Sequence, residues 1–493
     1  MAKIGFHYLG CRLNEAENES LARALIEAGH EVVEMDASPD GIVLNTCGVT
    51  AEAMRKSRNL MRRFASQNLR VLFLMGCAID LMRTGEHPVE DDELVSAPTH
   101  ENACPSENLK VVRIYREDRP NAAKIILSTL NAFESQDSKR GCAIGGAADA
   151  VRGVEENPAA DGDRVMDHRG LMTENSDDFR FNAENAKISN SDLSKYKLRM
   201  RCFIKIEDGC NNQCTYCSVR LARGRERSLS SSSILTEIQK CYALGEREFV
   251  LTGVQLGAWK EGERRLPDLI RDILEQTSVS RLRLSSIEPW HLRPELYELW
   301  HDKRLCPHFH SPVQSGSDAV LTAMRRRTPL DVYEEKIADI RRQIPQVRIS
   351  TDLIVGFPGE TESMWRETMD FIERIEFDDI HLFRFSPRPG TLAATMANPV
   401  PADVKRARWN EAHALMERIR AQKLEAFKGS LVRVLWESCE ESVVEGKRRW
   451  SGYSENYLRL YRFFDADKAM RGTITAEIFG DEDILSNLVH SEN

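Results

Sequence analysis

The sequence predicts an α/β protein in three parts: an amino-terminal parallel α/β unit, a (β/α)6 partial barrel and a small carboxy-terminal β-barrel. Three observations predict it. Over residues 1–130, short apolar runs ending in Gly or Asn alternate with stretches of helical period; the same alternation returns over 196–425; and residues 426–493 hold four or five short strand patterns. The 493 residues leave room for about three domains at roughly 150 residues each.

In the first unit three strand patterns stand out. Lys3 to Leu9 runs into Gly10-Cys11, Gly41 to Leu44 into Asn45-Thr46-Cys47, and Arg70 to Met75 into Gly76-Cys77. Helical patterns lie between them, at Glu15 to Ala28, closed by Gly29, and at Ala51 to Phe64. Strands joined by helices run parallel, so each cysteine falls just past the carboxyl end of its strand, the edge where open α/β sheets bind ligands. Three thiols far apart in sequence are thereby expected to meet in space. Taken alone, they read equally as buried packing thiols or as ligands.

Residues 131–195 lose both periods and turn rich in Gly, Ala, Asn, Ser and Asp, the composition of a linker or disordered insert. Between Asn131 and Asn190 stand 12 acidic and 7 basic side chains, so this stretch supplies much of the formal net charge of -9. The second unit has strand patterns at Cys202–Ile206, Glu248–Thr252, Arg281–Ser285, His308–Ser311, Val347–Val355 and Asp379–Phe385. Six β/α repeats predict a parallel barrel or part-barrel with its chemistry at the carboxyl ends of the strands. A helix from about Ala402 to Ala426 leads into the final strands, Gly429 to Gly480.

With 68 basic against 77 acidic residues, a uniformly basic nucleic-acid coat is excluded, and any RNA must be met by local patches. The opening MAKIGFHYLG has no secretory pattern, and no apolar run approaches the roughly 20 residues of a membrane helix. The expectation is a cytoplasmic protein without a membrane partner, in a reducing compartment where twelve cysteines are thiols or metal ligands rather than disulfides.

Six cysteines carry a pattern. Cys210-Asn211-Asn212-Gln213-Cys214-Thr215-Tyr216-Cys217 is C-x3-C-x2-C directly after a strand. Three thiolates on one loop can hold three corners of a cubane iron–sulfur cluster and leave the fourth iron open for chemistry. The competing readings are incidental cysteines or a zinc site, but no further Cys or His pair follows nearby to close four zinc ligands.

This loop resembles the signature of the radical S-adenosylmethionine (SAM) superfamily, whose members bind SAM at the open iron. Together with LGCRLNEAE, NTCGVT, MGCA, VQSGSD, RRRTP, GFPGET and SPRPGT, in that order, the chain resembles the methylthiotransferase family. The resemblance implies a flavodoxin- or Rossmann-like first domain, a radical SAM barrel and a TRAM domain that binds RNA. It implies two 4Fe-4S clusters, one on Cys210, Cys214 and Cys217 and one on Cys11, Cys47 and Cys77. The implied reaction inserts a methylthio group into an unactivated C–H bond: reductive cleavage of SAM gives a 5′-deoxyadenosyl radical that removes the hydrogen, and the second cluster delivers the methylthio group. A reducing electron donor and a sulfur source are then required. The implied substrate is adenosine 37 of tRNA carrying N6-threonylcarbamoyl, since Arg12-Leu13 after Cys11 is most similar to that branch; N6-isopentenyladenosine at that position and an aspartate of a ribosomal protein are the alternatives. Two departures stand out: AIDL follows Cys77 where the family often has YAQ, and the acidic insert has no counterpart. Cys104, Cys142, Cys202, Cys241, Cys306 and Cys439 match no motif and default to core or surface thiols.

By the same resemblance, Thr252 and Gly253 face the SAM amino group, Ser285 and Gln314 the ribose, and Tyr216, Val355 and Gly356 the adenine. Glycine permits close backbone approach, and Ser and Gln supply polar partners, although turn chemistry accounts for such residues equally well. Arg223, Arg225, Arg325 and Arg326 stand in charge runs that are ordinarily solvated faces; beside a cluster loop and a barrel mouth they are candidates for phosphate contact. In the last domain Lys447, Arg448 and Arg449 precede Trp450 and Tyr453, a mixture suited to pairing phosphates and stacking on bases, unless the aromatics are simply core. The reading from a different class is an RNA-binding protein whose clusters are only structural.

Overall fold

The computed structural model describes residues 1–83, 109–142, 200–480 and 484–486. Its first domain is a five-stranded, all-parallel sheet with strand order β2-β1-β3-β4-β5: β1 (Lys3–Tyr8), β2 (Glu31–Val33), β3 (Gly41–Thr46), β4 (Val71–Gly76) and β5 (Lys110–Ile114). The central strands GIVLNT and VLFLMG are buried at every residue, as strands covered on both faces must be. Helices α1 (Arg12–Glu27), α2 (Ala51–Ala65), α3 (Cys77–Arg83) and α4 (Ala122–Cys142) complete the unit. The order 2-1-3-4-5 puts the topological switch point between β1 and β3, the two strands that end at Cys11 and Cys47. α4 runs to Cys142, past the boundary expected at residue 130. The rest of the expected insert, 143–195, and Cys104 lie outside the described residues.

The second domain places six parallel strands in barrel order. β6 (Arg201–Lys205) pairs β9 (Glu248–Thr252), which pairs β12 (Arg281–Leu284); β13 (His308–His310) pairs β14 (Arg348–Val355), which pairs β15 (Asp379–Arg384). Parallel bridges Leu282 to Leu305 and Ser286 to His310 join the two triplets. Short pairs β7 (Glu207–Asp208) with β8 (Arg227–Ser228), and β10 (Lys260–Glu261) with β11 (Arg264–Arg265), decorate the loops. The largest apolar core lies between these strands and their helices, from Cys202 and Ile204 through Phe249, Leu282 and Ile349 to Trp365. Cys202, Cys241 and Cys306 are buried in this domain.

α1 packs against β6 on the side the six strands leave open. Ala16 touches Phe203 and Val250, and Lys205 Nζ lies 2.8 Å from Glu17. Below, the third domain is a curled antiparallel sheet, β19-β16-β17-β18-β20, of β16 (Leu431–Val444), β17 (Lys447–Ser454), β18 (Arg459–Asp465), β19 (Ile474–Ile478) and β20 (Ile484–Ser486). Its β17–β18 turn plugs the barrel floor. Arg281 donates to the Tyr453 carbonyl (3.1 Å), and Arg283 to those of Ser454 (3.2 Å) and Glu455 (3.0 Å). Both arginines also flank the fully buried Glu248, at 3.0 and 2.7 Å. Burial alone would raise the Glu248 pKa, but the two guanidinium groups outweigh it and hold it at about 2.

Candidate active site

Three strand ends deliver Cys11, Cys47 and Cys77 to one place. Gly10 turns the chain with φ +98°, and a Cβ there would stand 2.6 Å from the Cys47 sulfur, so glycine is required both for the turn and for the approach. Asn14 ties the loops together: its amide donates to the carbonyls of Leu9 (2.7 Å) and Thr46 (3.1 Å), and its oxygen faces the Cys11 sulfur at 3.9 Å. Ser57, buried on α2, accepts from the Cys47 N–H (3.1 Å) and donates to the Cys47 carbonyl (2.8 Å). Cys47 and Cys77 are 6 % and 2 % exposed, and Cys11 is exposed. Burial, with the neighbouring Cys77 thiol, pushes Cys47 up to about 12. Thiols in that state gain most from a partner that stabilises the thiolate, which is what a bound metal does.

The second triad is local. Gly209, at φ +83°, would clash with the Arg225 carbonyl at 2.1 Å if it carried a Cβ. The loop returns through the Cys210 N–H to the Gly224 carbonyl (3.0 Å) and the Cys217 N–H to the Cys214 carbonyl (3.2 Å). Burial raises Cys210 to about 11 and Cys217 to about 12, each further raised by its fellow cysteines. Among the described residues, the one group of three ligand types with donor atoms all within 4.8 Å of one another is His310, Asp352 and His381. Neither cysteine triad is drawn in to the roughly 4 Å sulfur spacing that a single zinc imposes.

Arg223 joins the two triads. It is 2 % exposed, on α5 (Val219–Arg223) just after Cys217. Its Nε lies 3.2 Å from the Cys77 sulfur, Nη1 3.0 Å from both Glu17 and Asp208, and Nη2 2.6 Å from the Asn14 oxygen. The expectation that Arg223 meets RNA phosphate is corrected: carboxylates and a thiol of two domains surround it.

Arg326 is corrected likewise. Its side chain is 4 % exposed, pairs Glu288 at 2.6 Å and stacks over Trp290. Trp450 is core, packed with Val434, Trp436 and Leu460. Tyr453 stacks on Tyr457 (5.2 Å) beneath Arg201 (4.3 Å), at the junction of domains. Arg225 and Arg325 are exposed, Lys447 is exposed, and Arg448 and Arg449 are half-buried, Arg449 pairing Glu440.

The barrel interior carries polar groups that fit SAM. The hydroxyl of Ser285 and one carboxyl oxygen of Glu207 are buried without a hydrogen-bond partner. The other Glu207 oxygen accepts from the Gln255 N–H at 2.8 Å and comes within 2.9 Å of where a Gly253 Cβ would stand. Burial raises Glu207 to about 8. Thr252 ends β9 beside it. Gln314 is buried with a left-handed backbone, φ +76°, the kind of strain that clusters at functional positions. Tyr216 packs with Phe357 and Phe385. Val355 turns its side chain into the outer core, and the Gly356 N–H is engaged by Glu360 at 2.9 Å. Glu207, Asn14 and Ser57 are site residues that sequence reasoning missed, and Arg223 is one to which it gave a different role.

Deeper in the barrel, His310 Nε2 and His381 Nδ1 both face Asp352 Oδ1, at 3.2 and 3.3 Å. His381 is half exposed, its pKa raised by the Asp352 hydrogen bond. The Arg12 guanidinium, next to Cys11, acts on His381 from across the interior and donates to the Tyr457 hydroxyl at 2.9 Å.

A partial parallel barrel bearing a C-x3-C-x2-C loop beyond its first strand defines a radical SAM enzyme, and the radical SAM superfamily pattern matches residues 204–372. The pattern described as Uncharacterized protein family UPF0004 matches residues 3–93. The Threonylcarbamoyladenosine tRNA methylthiotransferase MtaB of Thermotoga maritima is 30 % identical over 93 % of this chain and 91 % of its own length. The tRNA-2-methylthio-N(6)-dimethylallyladenosine synthase of Desulfosudis oleivorans is 31 % identical over 92 % and 85 %. The chain therefore belongs to the radical SAM methylthiotransferase family. Among solved structures, the radical SAM methyltransferase TsrM of Kitasatospora setae shares the fold (TM-score 0.50, 14 % identity, 80 % of this chain and 74 % of that one). Radical SAM enzymes of this family use 4Fe-4S clusters and SAM. No helix among the described residues is long and apolar enough to cross a membrane.

Proposed function

We propose that this enzyme adds a methylthio group to C2 of N6-threonylcarbamoyladenosine at position 37 of tRNA. In this reading Cys210, Cys214 and Cys217 hold the cluster that binds SAM, and Cys11, Cys47 and Cys77 hold the second. The clusters and SAM, when bound, supply the radical and the methylthio group; an electron donor and a sulfur source complete the reaction. The protein's own part is to hold the thiols, exclude water and orient the nucleoside. Glu207 and Ser285 offer acceptor and hydroxyl partners to SAM, as do the backbones around Thr252, Gly253 and Gln314. Arg225, Arg325, Lys447, Arg448 and Arg449 remain as phosphate contacts.

The observation that carries the choice of nucleoside is the polar barrel interior. A threonylcarbamoyl group brings a carboxylate and a hydroxyl; a dimethylallyl group brings only branched hydrocarbon. Arg12 and the Asp352-bound His381 offer the charged and hydrogen-bonding partners that the first group needs and the second cannot use. The test is methylthiolation of two anticodon stem-loop RNAs, one with each modification, by anaerobically reconstituted enzyme, read by nucleoside mass spectrometry. The threonylcarbamoyl RNA is expected to gain the group and the isopentenyl RNA not; equal turnover of both would overturn the choice. His381 has a raised pKa, so it is cationic below that value and neutral above it. Affinity for the threonylcarbamoyl RNA is therefore expected to fall as pH rises through that value, with Asp352, Asp379 and Arg12 as the charged neighbours.

A further inference from the structure

Between α2 and the loop after β15 lies a cavity of about 430 Å³. Gly48, the residue after Cys47, and Ser218, the residue after Cys217, both line it, so the cavity lies one residue along the chain from each cysteine triad. Four arginines line it as well, Arg55, Arg58 and Arg62 of α2 and Arg388 of the facing loop, and no carboxylate does. α2 divides its surface cleanly. Met61 and Phe64 enter the core, Ser57 turns inward to the Cys47 backbone, and Arg55, Arg58 and Arg62, spaced i, i+3, i+7, share the opposite face. The one acidic residue of the helix, Glu52, is spent on Lys56 at 3.0 Å.

Among the described residues, none of the three α2 arginines has an ion-pair partner. Arg58 goes further, burying its Nε without any hydrogen-bond partner. Four guanidinium groups around one cavity repel one another, and a half-buried cation without a partner is costly; an anion removes both costs. The planar fork of arginine matches phosphate oxygens two at a time. The three α2 arginines extend about 10 Å along the helix axis at 1.5 Å per residue, a line of charge rather than a point.

We propose that the arginine face of α2, with Arg388 across the cavity, binds the phosphodiester backbone of RNA next to the reacting nucleotide. This rests on the tRNA reading above and places the grip on the amino-terminal domain. Arg223 and Arg326 are consumed by internal ion pairs, whereas Arg55, Arg58 and Arg62 have no ion-pair partner among the described residues and line the cavity that Gly48 and Ser218 also line. A nucleotide reaching between the triads would carry its flanking phosphates past this helix.

The experiment is fluorescence-anisotropy binding of an unmodified anticodon stem-loop RNA to the full reconstituted chain over a salt series. Wild type is compared with R55E/R62E and with R418E, an exposed arginine paired to Glu373 on the far helix; melting temperatures check that each variant folds. R55E/R62E is expected to bind at least about tenfold more weakly, and losing two single-strand phosphate contacts lowers the slope of log K against log salt by about 1.4. R418E is expected to match wild type. If R55E/R62E fails to fold, R55Q/R62Q provides the same readout with a smaller expected loss. Wild-type affinity and slope in a folded double variant would overturn the α2 assignment alone. Failure of the wild type to bind the RNA at all would overturn the tRNA reading as well.

Discussion

Cys210, Cys214 and Cys217 lie within eight consecutive residues, whereas Cys11, Cys47 and Cys77 come from three strand ends spread over 67. The local triad takes much of its shape from its own segment, through a left-handed glycine and the backbone hydrogen bonds of Cys210 and Cys217, with Thr215 anchored to Met324 and Ala393. The dispersed triad owes its existence to the register of a parallel sheet and to side chains that clamp it, Asn14, Ser57 and, from the other domain, Arg223. A loop motif therefore withstands loss of its surroundings better than a convergent one. The two should fail differently when broken.

The largest expected difference comes from removing one thiol of each. Cys214→Ala is expected to abolish reductive SAM cleavage, followed as 5′-deoxyadenosine release, because the local loop keeps only two sulfurs. Cys47→Ala is expected to retain cleavage and lose methylthiolation. A Cys47→Ala enzyme that still forms full methylthio product would collapse the division of labour between the triads.

A smaller effect sharpens the dependence of one triad on the other's domain. Arg223→Ala deletes the guanidinium between Glu17, Asp208, Asn14 and the Cys77 sulfur. Breaking a buried ion pair typically costs 3–5 kcal/mol; Lys205 still neutralises Glu17 and Asp208 at 2.8 Å, so about 3 kcal/mol is expected in denaturant melts. Glu17 is held well below its usual pKa because Arg223 and Lys205 outweigh its burial. Its stabilising share is present above the ordinary carboxylate range and is lost as pH falls through the depressed value, so the penalty should shrink in acid. Iron bound at Cys11, Cys47 and Cys77 should fall more than iron at the local triad. Equal loss at both would show that Arg223 serves only the fold.

How far the sequence foretold this molecule follows the same divide. The C-x3-C-x2-C loop was legible because its geometry is encoded within a few residues. The dispersed triad was half legible: strand ends could be read, so convergence could be argued, but not the cage that holds it. Arg223 sits in RGRER, which reads as a solvated run; only the docking of α1 and α3 onto α5 buries it, and no local pattern reports docking. Trp450 misled for the same reason, since alternation along β17 does not say which face is covered. The six barrel strands were readable from their apolar runs, while β2 and β5, short or half-buried at the sheet edges, were not. The arginines of α2 were visible as letters, but their meaning needed the cavity.

Ser57 gives the finest test of the contrast, because it acts on the dispersed triad through backbone alone. Its hydroxyl is the partner of both the N–H and the carbonyl of Cys47, at 3.1 and 2.8 Å, and the residue is fully buried. Ser57→Ala changes no charge and removes one atom, yet leaves two buried backbone groups unpaired, at about 1–3 kcal/mol for each unmet group, partly relieved if water enters. Global stability should therefore drop by about 2 kcal/mol, with the iron of Cys11, Cys47 and Cys77 lost faster to a chelator and the iron of the local triad lost at the wild-type rate. Ser57→Thr keeps the hydroxyl and should restore retention as far as its added methyl fits. A role in packing alone would give the opposite ranking, because Ala fills the site with less strain than Thr.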